Sequence, residues 1–125
     1  MDRAASYKNL IVYQKAKTLT ISISKYFSRF RLPRTEEFLI IQLLRAVSSI
    51  AANIAEGYGR YYYKSYRQFL SVSRGSCFEV EYWLELLIEL KKFDETTLNE
   101  FLKENGQVGK ILTTMMKNLE RKTQD

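Results

Sequence analysis

The chain has 125 residues, 46% of them apolar and 27% charged, with 20 Lys and Arg against 14 Asp and Glu for a formal net charge of +6. There is no histidine, one cysteine (Cys77) and one proline (Pro33). Those absences exclude the usual single-chain zinc sites, Ser-His-Asp or Cys-His catalysis, and an internal disulfide, and they favour a binding or scaffold protein over an enzyme.

The excess charge lies at the start. Residues 1–34 hold eight Lys and Arg against Asp2 alone, a balance of +7, while the rest of the chain is nearly neutral at −1. Ala16, Leu19, Ile23, Phe27 and Phe30 recur at threes and fours, and Leu10 and Tyr13 extend the pattern backward, which predicts a helix over about 8–31. Pro33 stops it, because proline disfavours helical geometry in the residue before it. Lys8, Lys15, Lys17, Lys25, Arg29 and Arg31 make this a candidate phosphate-binding element. The bland alternative is a solvated face that aids solubility. The N-terminus lacks the apolar core of a secretory signal, and no uninterrupted apolar run approaches the ~20 residues that span a bilayer. A cytoplasmic protein without membrane contact is expected.

A second helix is expected over 36–57, with Thr35 as N-cap, Glu36 and Glu37 in its first turn, and Gly57 and Gly59 as stop signals. Leu39, Ile40, Leu43, Val47, Ile50, Ile54 and Tyr58 form its core face, flanked by Ile41, Leu44, Ala51 and Ala55. Its one polar stripe, Gln42, Arg45, Ser49, Asn53, Glu56 and Arg60, falls within an arc of about 80°. On a helix this apolar the stripe is expected to be buried, with Arg45 and Glu56 bonded to other helices or other subunits. Glu56 and Glu79 are the best candidates for a catalytic carboxylate pair, but no metal signature accompanies them, and a structural network is the stronger reading.

The corner that follows, Tyr58-Gly59-Arg60-Tyr61-Tyr62-Tyr63-Lys64-Ser65-Tyr66-Arg67, interleaves tyrosines with basic residues. Aromatic faces stack on unpaired bases while cations hold phosphates, so Arg60, Tyr61, Tyr62, Tyr63, Lys64 and Arg67 are candidate nucleic-acid-binding residues. Tyrosines that plug the end of a core are the structural alternative.

A third helix is expected over 65–91, with a core face of Tyr66, Phe69, Leu70, Cys77, Val80, Trp83, Leu84, Leu87 and Ile88. Phe78, Tyr82 and Leu86 form a second apolar stripe on the other side, and a bundle with one interior leaves that stripe for a subunit interface. Asp94 caps a fourth helix over 95–121. Leu98, Asn105, Leu112 and Leu119 stand seven apart there, with Phe101, Val108 and Met115 between them, a packing seam with one polar interruption. No strand-like alternation competes. Residues 1–125 therefore read as one all-α domain, an antiparallel up-down four-helix bundle, with neither metal nor cofactor.

Several strings carry a family resemblance. Tyr7-Lys8-Asn9-Leu10-Ile11-Val12-Tyr13-Gln14-Lys15-Ala16 resembles the opening of the small bacterial four-helix-bundle proteins encoded by intervening sequences in 23S ribosomal RNA genes. The run from Gln42 to Gly57, with Arg45-Ala46, Ser49-Ile50 and Asn53-Ile54-Ala55-Glu56-Gly57, is similar to that family's central signature. Arg60, Phe69-Leu70 and Ser73-Arg74-Gly75-Ser76-Cys77-Phe78-Glu79 continue it in order. Tyr13 stands where tryptophan is frequent, and Val47 where alanine is. The resemblance implies an antiparallel bundle, assembly as a homopentamer and no known enzymatic activity. The chain is also similar to accessory proteins of diversity-generating retroelements, basic pentameric bundles that bind a reverse transcriptase and nucleic acid. Expected partners are thus other copies of the chain, RNA or DNA, and a protein such as a reverse transcriptase.

Overall fold

The computed structural model describes residues 6–124; Asp2 and Arg3 of the basic segment lie outside them. A 3-10 turn, Tyr7–Asn9, precedes α1 (Ile11–Phe27), α2 (Arg34–Tyr58), α3 (Tyr63–Glu89) and α4 (Glu95–Gln124). The described residues contain no strand. All four helices alternate in direction around one core, and each packs on the next, with α4 closing against α1. Polar side chains mark the contacts at mid-height. The Thr20 hydroxyl of α1 donates to the Val47 carbonyl of α2 at 3.2 Å, and the Ser73 hydroxyl of α3 to the Ile50 carbonyl at 2.9 Å. The Asn105 amide of α4 donates to the Cys77 carbonyl of α3 at 2.8 Å.

The buried residues follow the spacing read from sequence. Leu19, Ile23, Leu43, Val47, Ile50, Ile54, Leu70, Val80, Leu84, Leu87, Leu98 and Leu112 are fully buried. Asn105 occupies its predicted place in the α4 seam and is also buried. α2 is the one helix among the described residues long and apolar enough to cross a membrane by length and composition. Its Leu43, Val47, Ile50 and Ile54 instead fill the middle of the bundle core.

Helix boundaries depart from expectation mainly in the first segment. The predicted helix over 8–31 is a short 3-10 turn, an extended Leu10, and an α-helix that ends at Phe27. Ser6 accepts a hydrogen bond from the Lys8 N–H, and the Gln14 side chain donates to the Lys8 carbonyl at 2.9 Å, which fixes the turn against α1. At the other end the Ser28 hydroxyl donates to the Lys25 carbonyl and competes with the helical ladder. Phe30 then packs back from the connection against Phe27 and Phe93, with ring centroids 6.4 and 5.2 Å apart. Lys8 is therefore in the 3-10 turn, and Arg29 and Arg31 are outside any helix.

α2 starts at Arg34, with Pro33 and not Thr35 at the N-cap, and the Glu37 N–H donates to the Pro33 carbonyl. Proline fits because its φ suits a helix start and its missing N–H is not needed there. α3 begins two residues earlier than expected, at Tyr63, and ends two earlier, at Glu89. Asp94 does cap α4: its carboxylate accepts from the Thr97 N–H at 2.9 Å.

Candidate nucleic-acid interface

One end of the bundle gathers the 3-10 turn, the start of α1, the α2–α3 corner and the last turns of α4. α2 arrives there with Gly57 buried against α3. A Cβ at Gly57 would lie 2.6 Å from the Phe69 Cβ, so only glycine permits this helix spacing. Above it, Tyr13, Tyr7, Tyr58 and Tyr66 form a chain of edge-to-face rings with successive centroids 4.9, 6.5 and 6.0 Å apart. These tyrosines close the core.

Tyr61 and Tyr62 are different. They lie in the connection between α2 and α3, 87% and 70% exposed, with ring centroids 5.0 Å apart and planes at 78°. Lys64 is exposed in the first turn of α3, which contains no acidic residue and no side-chain cap. The positive end of the α3 dipole thus adds to the lysine charge. α4 runs antiparallel to α3 and brings its basic last turns to the same place. Arg67 pairs with Glu120 at 3.6 Å, and the Lys122 ammonium sits 5.1 Å above the centre of the Tyr63 ring. Lys117 and Arg121 are exposed on the same turns. Among the described residues, the carboxylates near this end already face arginine: Glu120 meets Arg67, and Glu56 meets Arg60 at 3.5 Å. The Arg60 guanidinium also lies 4.6 Å over the Phe69 ring. Arg60 and Arg67 hold the corner together, while Lys8, Lys64, Lys117, Arg121 and Lys122 have no carboxylate partner among the described residues.

The sequence-predicted cations are only partly brought together. Lys8 belongs to this end, Lys15 and Lys17 lie in the first half of α1, and Lys25, Arg29 and Arg31 reach the opposite end. A 17-residue helix separates those groups by roughly 25 Å. Arg29 stacks on Tyr26 there, 5.1 Å from the ring centre. Sequence reasoning missed Lys117, Arg121 and Lys122. Their signal was the basic end of a helix that an antiparallel bundle must return to the corner.

Within one chain the polar stripe of α2 is half-buried to exposed, with Ser49 on the α2–α3 groove and Arg45 on the edge of the α1–α2 groove. Ser49 bonds the Ser76 hydroxyl across the groove at 2.6 Å, and the Asn53 amide donates to the Ser49 carbonyl. Gln42 is half-buried, whereas Arg45, Glu56 and Glu79 are exposed. Glu56 finds its partner on its own chain, four residues on, because one bundle leaves this side of α2 open to solvent.

Phe78 and Tyr82 are exposed as the second apolar stripe requires, at 56% and 57%, but Leu86 is half-buried. Beside Phe78 runs a groove of about 410 Å³ between α3 and α4, lined by Arg74, Cys77, Asn105, Gly106 and Gly109 among others. Arg74 spans it, donating to the Thr113 hydroxyl at 2.9 Å with its guanidinium 5.2 Å over Phe78. Burial pushes the Cys77 thiol up to about 12, so it is neutral and a poor nucleophile. No three His, Cys, Asp or Glu side chains among the described residues converge on a point.

Comparison with known proteins places this arrangement. The sequence model of the family described as 23S rRNA-intervening sequence protein matches residues 8–114. A crystal structure of a protein of unknown function from the S23 ribosomal protein family, from Bacteroides thetaiotaomicron, is similar with a TM-score of 0.77 and 26% identity, covering 86% of this chain and 99% of that one. No curated protein matches. The match extends from the 3-10 turn through the α2 signature to the C-terminal half of α4, and the chain belongs to the 23S rRNA-intervening sequence protein family.

Proposed function

We propose that the protein is a homo-oligomeric, cytoplasmic scaffold that binds nucleic acid and performs no catalytic step of its own. The observation that carries the reading is the exposed Tyr61–Tyr62 pair among cations, at an end whose carboxylates Glu56 and Glu120 already face arginine. Such an end attracts phosphates and offers ring faces to bases.

Assembly is argued from two apolar surfaces on opposite sides of the bundle. Ile41 and Leu44 border a shallow groove of about 370 Å³ between α1 and α2, close to the exposed Ile21. Phe78 and Tyr82 project from α3 on the far side. Unlike surfaces joined head to tail close into rings, and the family resemblance supplies five as the copy number. The same Phe78–Tyr82 ridge fits a protein partner such as a reverse transcriptase, the second reading. Nuclease-treated pull-down that still recovers a defined protein would favour that reading.

Fluorescence anisotropy with fragments of 23S ribosomal RNA at low salt tests the leading one. Saturable binding is expected. No binding at low salt would overturn it.

A further inference from the structure

We infer that the bundle end built from the α2–α3 corner and the last turns of α4 is a site for unpaired nucleotides, so that the protein prefers single-stranded to duplex nucleic acid. This rests on the nucleic-acid reading above and names the ligand class for it.

Neighbouring tyrosines at this end divide the labour. Tyr58 and Tyr66 are held in the ring chain that closes the core, and Tyr63 lies under Lys122. Tyr61 and Tyr62 have no such task. Two adjacent aromatic rings left this open gain little for the fold, since the apolar area they bury is small. Their edge-to-face contact at 5.0 Å sets the planes nearly perpendicular and occupies one face of one ring, while both rings remain largely exposed. A flat base can stack on such a face only when it is unpaired or unstacked, because duplex bases already stack on one another.

The second part is charge. Lys64 follows the tyrosines in sequence, and the antiparallel return of α4 brings Lys122 over the neighbouring Tyr63 ring, with Arg121 exposed on the same turn. Cations from two helices thus stand at the end of the bundle that carries the ring pair. That arrangement suits a flexible strand whose phosphates run past the rings while bases turn inward. A duplex is gripped instead by a broad basic face or by an element fitted into a groove. Among the described residues, Lys25, Arg29 and Arg31 lie at the opposite end of the bundle and add nothing to this one.

The experiment compares labelled oligonucleotides of one length, about 20 nucleotides, as single-stranded RNA, single-stranded DNA and blunt duplex, each titrated with the full chain by anisotropy. Both single strands should bind about tenfold tighter than duplex, and a difference between them reports contacts to the 2′-hydroxyl. Y61A combined with Y62A should weaken single-strand binding about tenfold or more and leave duplex binding unchanged. Y61F with Y62F should restore it, since the phenyl faces still stack. Both positions are solvent-exposed, so circular dichroism melts should match the parent. K64A with K122A should weaken all three ligands. Equal or tighter duplex binding, or a double alanine variant that binds single strands like the parent, overturns the inference while the broader reading stands. Absence of binding to every oligonucleotide overturns both.

Discussion

At the scale of single residues, the most consequential position is Gly57. α2 and α3 approach so closely there that a Cβ would meet the Phe69 Cβ at 2.6 Å and the Tyr66 carbonyl oxygen at 3.2 Å. Gly57→Ala should destabilise the fold by about 1–3 kcal/mol, read as a lower urea midpoint. Lys91 is the one non-glycine among the described residues with φ in the left-handed region, at 57°. Lys91→Gly should stabilise by roughly 1 kcal/mol in the same measurement. Two carboxylates set the acid limb. Glu36 is held below the usual range chiefly by its hydrogen bond from Lys92, and Asp94 by the Thr97 hydroxyl and then its N–H. Each stabilises the fold above the unfolded carboxylate range near ~4 and loses that contribution as pH falls through its lowered value. A Glu36→Gln, Asp94→Asn variant should therefore be less stable than the parent at pH 6, and the gap should narrow as the pH falls below the usual carboxylate range. A stability gap independent of pH would contradict this. Of these residues Asp94 was legible as a cap and Glu36 as a first-turn acid, since both are local patterns, whereas the bond from Lys92 to Glu36 was not. Gly57 read as a stop signal, because sequence cannot show that a neighbouring helix lies against it.

At the scale of elements, existence and packing face were legible for all four helices, and boundaries were legible to within three residues for all but the first. Phe30 extended the α1 periodicity past the true end at Phe27, because spacing reports which side chains are buried and not the backbone that delivers them. A loop that folds back can bury a ring as well as a helix can. The polar stripe of α2 shows what one chain provides: Ser49 and Asn53 are half-buried and hydrogen-bonded, while Arg45 and Glu56, with Glu79 of α3, stand in solvent where a second subunit could meet them. The apolar ridge on α3 carries the element-scale prediction. Replacing Phe78 and Tyr82 with glutamate should convert the assembly to monomer by light scattering, with helical circular dichroism unchanged, because both side chains lie outside the core. Retained assembly would place the interface on another face.

At the scale of the whole molecule, the site is a product of topology. The tyrosine corner was readable because its residues are contiguous. Its α4 cations come from more than fifty residues further along the chain, and only antiparallel packing brings them there. The fold also divides the basic N-terminal segment between opposite ends of the bundle, so the +6 of the chain is not one patch. In a ring of five copies the formal charge would reach +30, five times the chain value, and each copy would add its own tyrosine–lysine end to the field. The measurement that tests this account most directly is the binding constant for single-stranded RNA across a salt series. If Lys64, Arg121 and Lys122 each neutralise one phosphate, log K should fall linearly with log salt with a slope of about −2, and Lys64→Ala with Lys122→Ala should make it shallower. Affinity that ignores salt, or a slope that the double variant leaves unchanged, would contradict it.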